Sequence, residues 1–447
     1  MEEIKNKLEL TAGDFPPAVA PFYENFEGTG ALRMASTIAS VIAYQAMAPR
    51  LRVKYPYDYD LSMLLSNLLV IGPSGCGKSI IRNVVNILIN DLLKDDIQQR
   101  RLQRACADAN KRKGSASDKD EEPLVCIRLL QNFTLPIITQ YADYQYRLFG
   151  DYLGFFLFAD ELATLCETKR HKTDLQAVAR TAFSYNELFC KDTLYKDGYN
   201  ALTNIVWNSV LLGQEASLRE YIPKKGLLCG DASRHIIINL GGSLGDDAPI
   251  FHPLTEEQQK EVDDTIQKLK NETFQVTGDT RILQPIHEVD MSWLNEDVNH
   301  WCNKQRIEIT RTGSRAHNSF YVRASVSAFR LCTMLFHLWD EQVEYQEKVR
   351  KCYWYFAQNI LDSQLAQWGE EYESALGKDK EAASERIDVF SQVPESFSRD
   401  WLKSFIQEHP AIGTAARQFI YNWKKKHWIF EDPEEKDKYY KMYDVKA

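Results

Sequence analysis

Residues 72–79 read Gly-Pro-Ser-Gly-Cys-Gly-Lys-Ser, and three glycines with a proline leave that backbone no stable helix or strand to adopt. The chain must turn there. Residues 61–71, LSMLLSNLLVI, read as a short buried parallel strand, and SIIRNVVNILINDLL after the turn repeats apolar side chains at helical spacing. Strand, glycine-rich turn and helix in this order aim the turn's backbone N–H groups and the helix's positive end at one point, which makes an anion cradle.

The spacing satisfies G-x-x-x-x-G-K-[ST] at every fixed position, the signature of a phosphate-binding loop. Gly72, Pro73, Ser74, Gly75, Cys76 and Gly77 are expected to wrap the phosphates, Lys78 to bridge β and γ, and Ser79 to ligate Mg2+. Cys76 is read as a small residue tolerated in the loop. A second strand, GFFLFADE at residues 154–161, delivers two carboxylates to its end. Asp160 is expected beside Mg2+, and Glu161 to orient and deprotonate an attacking water. A kinase for small molecules would not need the second acid, so the pair points to hydrolysis of ATP.

Two further strand ends carry polar groups. SVLLGQE puts Gln214 where it could sense the γ-phosphate, with Asn208, Ser209 or a plain solvated loop as alternatives. DASRHIIINL sets Arg234 just before a strand, either as a surface ion-pair partner or as the arginine that completes a neighbouring subunit's site.

Strand runs alternating with helical stretches imply an α/β fold around a parallel sheet. The expected divisions are a helical segment at 1–60, a nucleotide-binding core at 61–250 with a polar insertion at 94–122, and a helical lid at 251–385 whose polar GKDKEAASE acts as a linker. Residues 390–447 read as helix, turn, helix and hairpin, a winged helix. No run of about eighteen apolar residues is present and the N-terminus MEEIKNKLEL is charged, so no membrane association is expected and the cytoplasm is the expected address. The nine cysteines form no CxxC pair and are read as reduced and mostly buried.

A net charge of −9 excludes a protein coated in nucleic-acid-binding surface, so any such contact must be local. GTAARQFIYNWKKKHWIF concentrates Arg417, Lys424, Lys425 and Lys426 with Tyr421, Trp423 and Trp428 interleaved, which suits DNA, though Trp423 is expected in the core. Arg100, Arg101, Arg104, Lys111, Arg112 and Lys113 form a second basic stretch. Arg306, Arg311, Arg315 and Arg323 surround a Gly-Ser turn, read as a charged hairpin or a surface loop.

Ser233-Arg234-His235 before a strand, followed by Arg323 and Arg330 in YVRASVSAFRL, resembles the Ser-Arg-Phe finger and arginine-rich sensor helix of minichromosome-maintenance-type AAA+ helicases, with His for Phe. The order DFPP, phosphate loop, NFTLPII, FFLFADELATL, SVLLGQ, ASRHIIINL and VRASVSAFRL, across residues 14–338, resembles primase-associated, helicase-like P-loop ATPases of bacterial mobile elements and phages. The resemblance implies a RecA/AAA+-like core, Arg234 as a finger in trans, Arg323 as a sensor of bound nucleotide, and priming supplied by a separate primase. An arginine given in trans implies a homo-oligomer, with a hexameric ring among its forms. The expected function is a Mg-ATP-dependent, helicase-like DNA motor in replication or mobility of an extrachromosomal element; the alternative is an ATP-switched DNA-binding or defence and signalling regulator.

Overall fold

The computed structural model describes residues 9–112, 128–130, 135–166, 178–183, 189–191, 201–241, 249–277, 280–408, 415–425, 428–432 and 435–441. The chain divides into two compact units, Met1–Tyr372 and Glu373–Ala447.

In the first unit, strands β1 (Asn67–Ile71), β2 (Arg128–Leu130), β3 (Phe155–Ala159), β4 (Trp207–Gly213) and β5 (Ile236–Asn239) form one sheet in the order β5-β1-β4-β3-β2. Every pairing is parallel. β1, β3 and β4 are buried at each position, as uninterrupted apolar runs in a sheet covered on both faces should be. Among the polar exceptions, Asn67 Oδ1 accepts from Trp207 Nε1 at 3.1 Å and from Ser209 Oγ at 2.7 Å across the β1–β4 pair.

Helix α1 (Gly30–Met47) is apolar on nearly every face and accordingly buried on nearly every face, packing against β4, against the short helical turn at Pro21–Glu24 and against three long helices. These are α2 (Lys78–Arg112), α4 (Glu256–Thr273) and α6 (Arg315–Leu338), while α3 (Leu135–Phe149) and α5 (Asn295–Thr312) lie between them in the chain. One continuous core therefore runs from Leu10 to Trp368. The segments expected as separate helical divisions at 1–60 and 251–385 instead share the sheet's core as far as Tyr372, because α1 presents no polar face on which to end a domain.

Three local expectations change. The stretch expected as a linker at 376–385 lies inside helix α7 (Gln346–Gln392), since Ala, Glu and Lys favour helix and its lone glycine costs only about 1 kcal/mol. The Gly-Ser turn around Gly313 joins α5 to α6, so Arg306 and Arg311 stand on one helix and Arg315 and Arg323 on the next. The 251–385 stretch expected as a helical lid also carries strands, at Phe274–Thr277 and Thr280–Leu283, which pair with each other, and at His287–Glu288. Among the described cysteines Cys302, Cys332 and Cys352 are buried, Cys76 and Cys106 half-buried, and Cys229 exposed.

Asp151 anchors the segment leading into β1. It pairs with Arg50 and, at 2.8 Å, with Arg52, whose side chain is 2% exposed and whose guanidinium also reaches the Pro49 and Leu51 carbonyls. Asp151→Ala leaves that guanidinium buried without its carboxylate and should cost about 3–5 kcal/mol, read as a lowered denaturant midpoint at unchanged m-value.

The second unit carries β6 (Ser396–Ser398), α8 (Arg399–Glu408), α9 (Ala416–Lys425), β7 (Ile429–Glu431) and β8 (Lys438–Lys441), with the strands antiparallel in the order β6-β8-β7. Phe397, Leu402, Phe419, Ile420, Trp423, Ile429 and Tyr439 form its own small core.

Candidate functional site

A parallel sheet delivers every strand's end to one edge, and polar groups placed there share a crevice. Here Ile71 pairs with Gly213, and Ala159 with Leu211. The residues that follow, Gly72 on β1, Gln214 on β4 and Asp160 with Glu161 on β3, therefore converge, with β4 standing between the other two strands. Leu162 N–H donates to Leu212 O at 2.6 Å and locks the acidic turn onto β4. Gly213 permits this approach, because a Cβ there would come within 2.7 Å of Leu162 Cβ.

The 72–79 loop leaves β1 through a hydrogen bond from Gly72 N–H to Gly213 O at 3.1 Å, and α2 starts at Lys78. Pro73, Ser74, Gly75 and Ser79 are exposed, and Cys76, Gly77 and Lys78 half-buried. Gly77 has φ +93°, and a Cβ on it would run into the Pro249 ring, so no other residue fits. Cys76 Sγ lies inside the turn against Gly72, where it occupies the space a Cβ on that glycine would need. Lys78 Nζ donates to the Gly72 carbonyl and to Pro73 O at 2.9 Å, folding its ammonium over the loop.

Arg82, one turn further along α2, pairs with Asp160 through Nη1 and Oδ2 at 2.8 Å. Sequence reasoning missed it, although its place three residues after Ser79 puts both on one helix face. Both side chains are more than two-fifths exposed, so the pair is worth about 0–1 kcal/mol and opens readily. Glu161 is half-buried and its carboxylate makes no ion pair among the described residues.

Gln214 is exposed at the end of β4, next to the loop, whereas Asn208 and Ser209 are buried within the strand. Asn208 Oδ1 accepts from Ser66 N–H at 2.7 Å and the Ser209 hydroxyl is bonded to Asn67, so neither alternative reaches the crevice.

Arg234 and Arg323 lie elsewhere. β5 begins level with Leu68, the start of β1, so Arg234 sits at the amino end of the sheet and about 13 Å of strand separates it from the edge carrying its own 72–79 loop. Arg234 Nη1 donates to Gly230 O at 3.0 Å, and Arg323 Nη1 to Ser233 Oγ at 3.0 Å. Arg323 is thus brought to Arg234, not to the 72–79 loop of its own chain. Arg180, also unmarked by sequence reasoning, pairs with buried Asp231 at 3.0 Å, whose carboxyl burial pushes up against the pull of the three arginines. His235, at the position where the resembled helicases carry Phe, is fully buried, and burial pushes its pKa down to about 4. An uncharged ring results, set edge-on to Tyr221 at 5.6 Å, so this histidine serves as an aromatic wall. Arg330 is buried, reaching the Leu65 and Phe183 carbonyls at 3.0 and 3.1 Å and Ser62 Oγ, which makes it a tie inside the core.

In the second unit, α9 buries Ala416, Phe419, Ile420 and Trp423 and exposes Arg417, Tyr421, Lys424 and Lys425. Lys424 pairs with Glu431 and stands over the Tyr439 ring at 5.0 Å. Lys426 lies outside the described residues. On α2, Arg100 pairs with Asp96 and Lys111 with Asp108, so that basic stretch is partly neutralised by its own helix. Lys113 lies outside the described residues.

Among the described residues no helix is long and apolar enough to cross a membrane. Compared with known proteins, the chain matches no family model and no curated sequence.

Proposed function

We propose that the chain is a Mg2+-dependent ATP hydrolase of RecA/AAA+ type that works as a helicase-like motor on DNA, in replication or mobility of an extrachromosomal element. The observation that carries this reading is the convergence of the 72–79 loop, Gln214 and the Asp160 and Glu161 pair on one sheet edge, with β4 between loop and acids. Their chemistry fits the ligands. The Ser79 hydroxyl and Asp160 carboxylate are hard oxygen donors suited to Mg2+, and the loop's backbone N–H groups and Lys78 suit phosphate oxygens. Bound Mg2+ would supply charge neutralisation of the β- and γ-phosphates.

Lys78 then exchanges the Gly72 and Pro73 carbonyls for phosphate oxygens, and Arg82 releases Asp160. Glu161 orients a water against the γ-phosphorus and accepts its proton. Gln214, just past the end of β4, registers whether the γ-phosphate remains. Arg234, too far from its own loop, acts on the neighbouring subunit's ATP in a homo-oligomer, and Arg323 steadies it through Ser233. The two-helix, three-strand unit at the C-terminus serves as a winged helix whose exposed Arg417 and Lys425 meet phosphates, and Tyr421 offers a ring for stacking.

The Lys424 pair with Glu431 favours a second reading, because it leaves α9 less cationic than its sequence. In that reading the same ATPase is a switch, and its C-terminal unit docks a partner or a DNA site without unwinding. Steady-state ATP hydrolysis with and without single-stranded DNA, with Lys78→Ala as the blank, separates the two. A motor should be stimulated severalfold or more, and raising salt from 50 to 200 mM should abolish the stimulation as phosphate contacts are lost. Hydrolysis indifferent to nucleic acid overturns the motor, and hydrolysis equal to the Lys78→Ala blank overturns the ATPase itself.

A further inference from the structure

Away from the sheet edge, one cluster joins side chains of metal-binding chemistry. Among the described residues, His287, His337 and Glu341 each offer one ligand atom, and the three atoms lie within 4.8 Å of one another. Two segments of the chain bring them there, His337 and Glu341 being four residues apart. His287 belongs to the short strand His287–Glu288, paired with the strand at Leu51–Val53; His337 is in the last turn of α6; and Glu341 follows the end of that helix. Glu341 Oε1 bonds His287 Nε2 and, at 2.9 Å, His337 Nδ1. The other nitrogen of the buried His337 ring, Nε2, lies 2.8 Å from Glu272 Oε2 near the end of α4.

That outward hydrogen bond is the arrangement of a metal-bound histidine, whose far N–H donates to a carboxylate that fixes the tautomer and the ring. The backbone adds a second observation. Asp340 and Glu341 have φ of 53° and 58°, a left-handed pair without glycine, and this reversal brings the Glu341 carboxylate back over His337. Residues are held in that region where the surrounding structure over-determines them, commonly at ligand clamps.

We propose that His287, His337 and Glu341 bind one divalent late transition-metal ion of the Zn2+ class, with Glu272 orienting His337 and water completing the coordination on the exposed side of His287. Two imidazoles and a carboxylate suit Zn2+ and its neighbours, whereas Mg2+ and Ca2+ take oxygen donors, so this site is chemically distinct from Ser79 and Asp160. The 2.9 Å between Glu341 Oε1 and His337 Nδ1 is a small opening away from the ~3.3 Å edge of a tetrahedron with bonds of about 2.0 Å. The ion ties α4, α6 and the small sheet at residues 51–63 together, and the inference stands independently of the proposed ATPase.

The test uses the full-length chain, stripped of metal by a chelator and titrated with Zn2+ by calorimetry and with Co2+ by visible absorption. One equivalent should bind, with Co2+ showing d–d bands and no thiolate charge-transfer band. His287→Ala should lose the site without changing the metal-free melting temperature, since that imidazole is half exposed. Glu272→Gln should weaken binding by about 10–100-fold. Absence of binding, wild-type affinity in His287→Ala, or a thiolate band that assigns the ion to cysteines would each overturn the proposal.

Discussion

Glu161→Gln is expected to slow steady-state ATP hydrolysis by about two to four orders of magnitude while ATP affinity stays within a few fold. The substitution keeps the side chain's size and removes only its capacity to take a proton. Structure should survive it, because the Glu161 carboxylate makes no ion pair among the described residues and the turn is held by the backbone bond from Leu162 to Leu212. Asp160→Asn should behave differently. Its carboxylate is a Mg2+ ligand in the proposed reaction, so the loss should appear as a raised Mg2+ requirement together with a lower rate. Single-turnover hydrolysis across a Mg2+ series, with nucleotide binding measured in parallel, separates base from ligand. A Glu161→Gln protein that turned over at the parental rate would remove Glu161 from the chemistry and require another group to take the proton.

The parts of this edge that could be read from sequence are those whose information is local. NLLVI before three glycines, and FFLFA before Asp160 and Glu161, announce buried strands and their polar ends within a dozen residues; both strands form, though the first begins at Asn67 and not at Leu61, because Ser62 and Met63 pair antiparallel with Arg52 and Val53 instead. Gln214 could be narrowed only by the register, because whether Asn208 and Ser209 point into the sheet or past it depends on their partners, Ser66 just before β1 and Asn67 at its start. The role of Arg323 was the least legible. A helix pattern marks α6 but says nothing of the end of the sheet against which it packs, and the answer, a hydrogen bond to Ser233, spans ninety residues of chain. Arg180 and Arg82 stayed hidden for the same reason, as their carboxylate partners come from distant strands and turns. The linker failed in the opposite direction: polar composition suggested a break where helix-forming residues carry α7 through.

Arg234→Ala is expected to lower ATP hydrolysis by about three to five orders of magnitude without weakening ATP binding, the size of effect associated with an arginine brought to the γ-phosphate in the transition state. The geometry dictates a sharper consequence. Arg234 stands at the amino end of β5 and the 72–79 loop at the carboxyl end of β1, so one chain cannot supply both to one ATP. Arg234→Ala protein and Lys78→Ala protein, each inactive alone, should therefore recover activity when mixed, because a Lys78→Ala subunit still donates its arginine to the intact loop of an Arg234→Ala neighbour. Random assembly of equal amounts makes about a quarter of interfaces competent, so about a quarter of the parental rate is the ceiling. Recovery should vanish on dilution below the concentration at which subunits associate. Arg323→Ala should give a smaller loss that mixing with Lys78→Ala also relieves, since Arg323 belongs to the donor's face through Ser233. If the mixture stays silent while both proteins form mixed oligomers, Arg234 is no trans-acting group, and its role lies within its own chain, where it reaches Gly230.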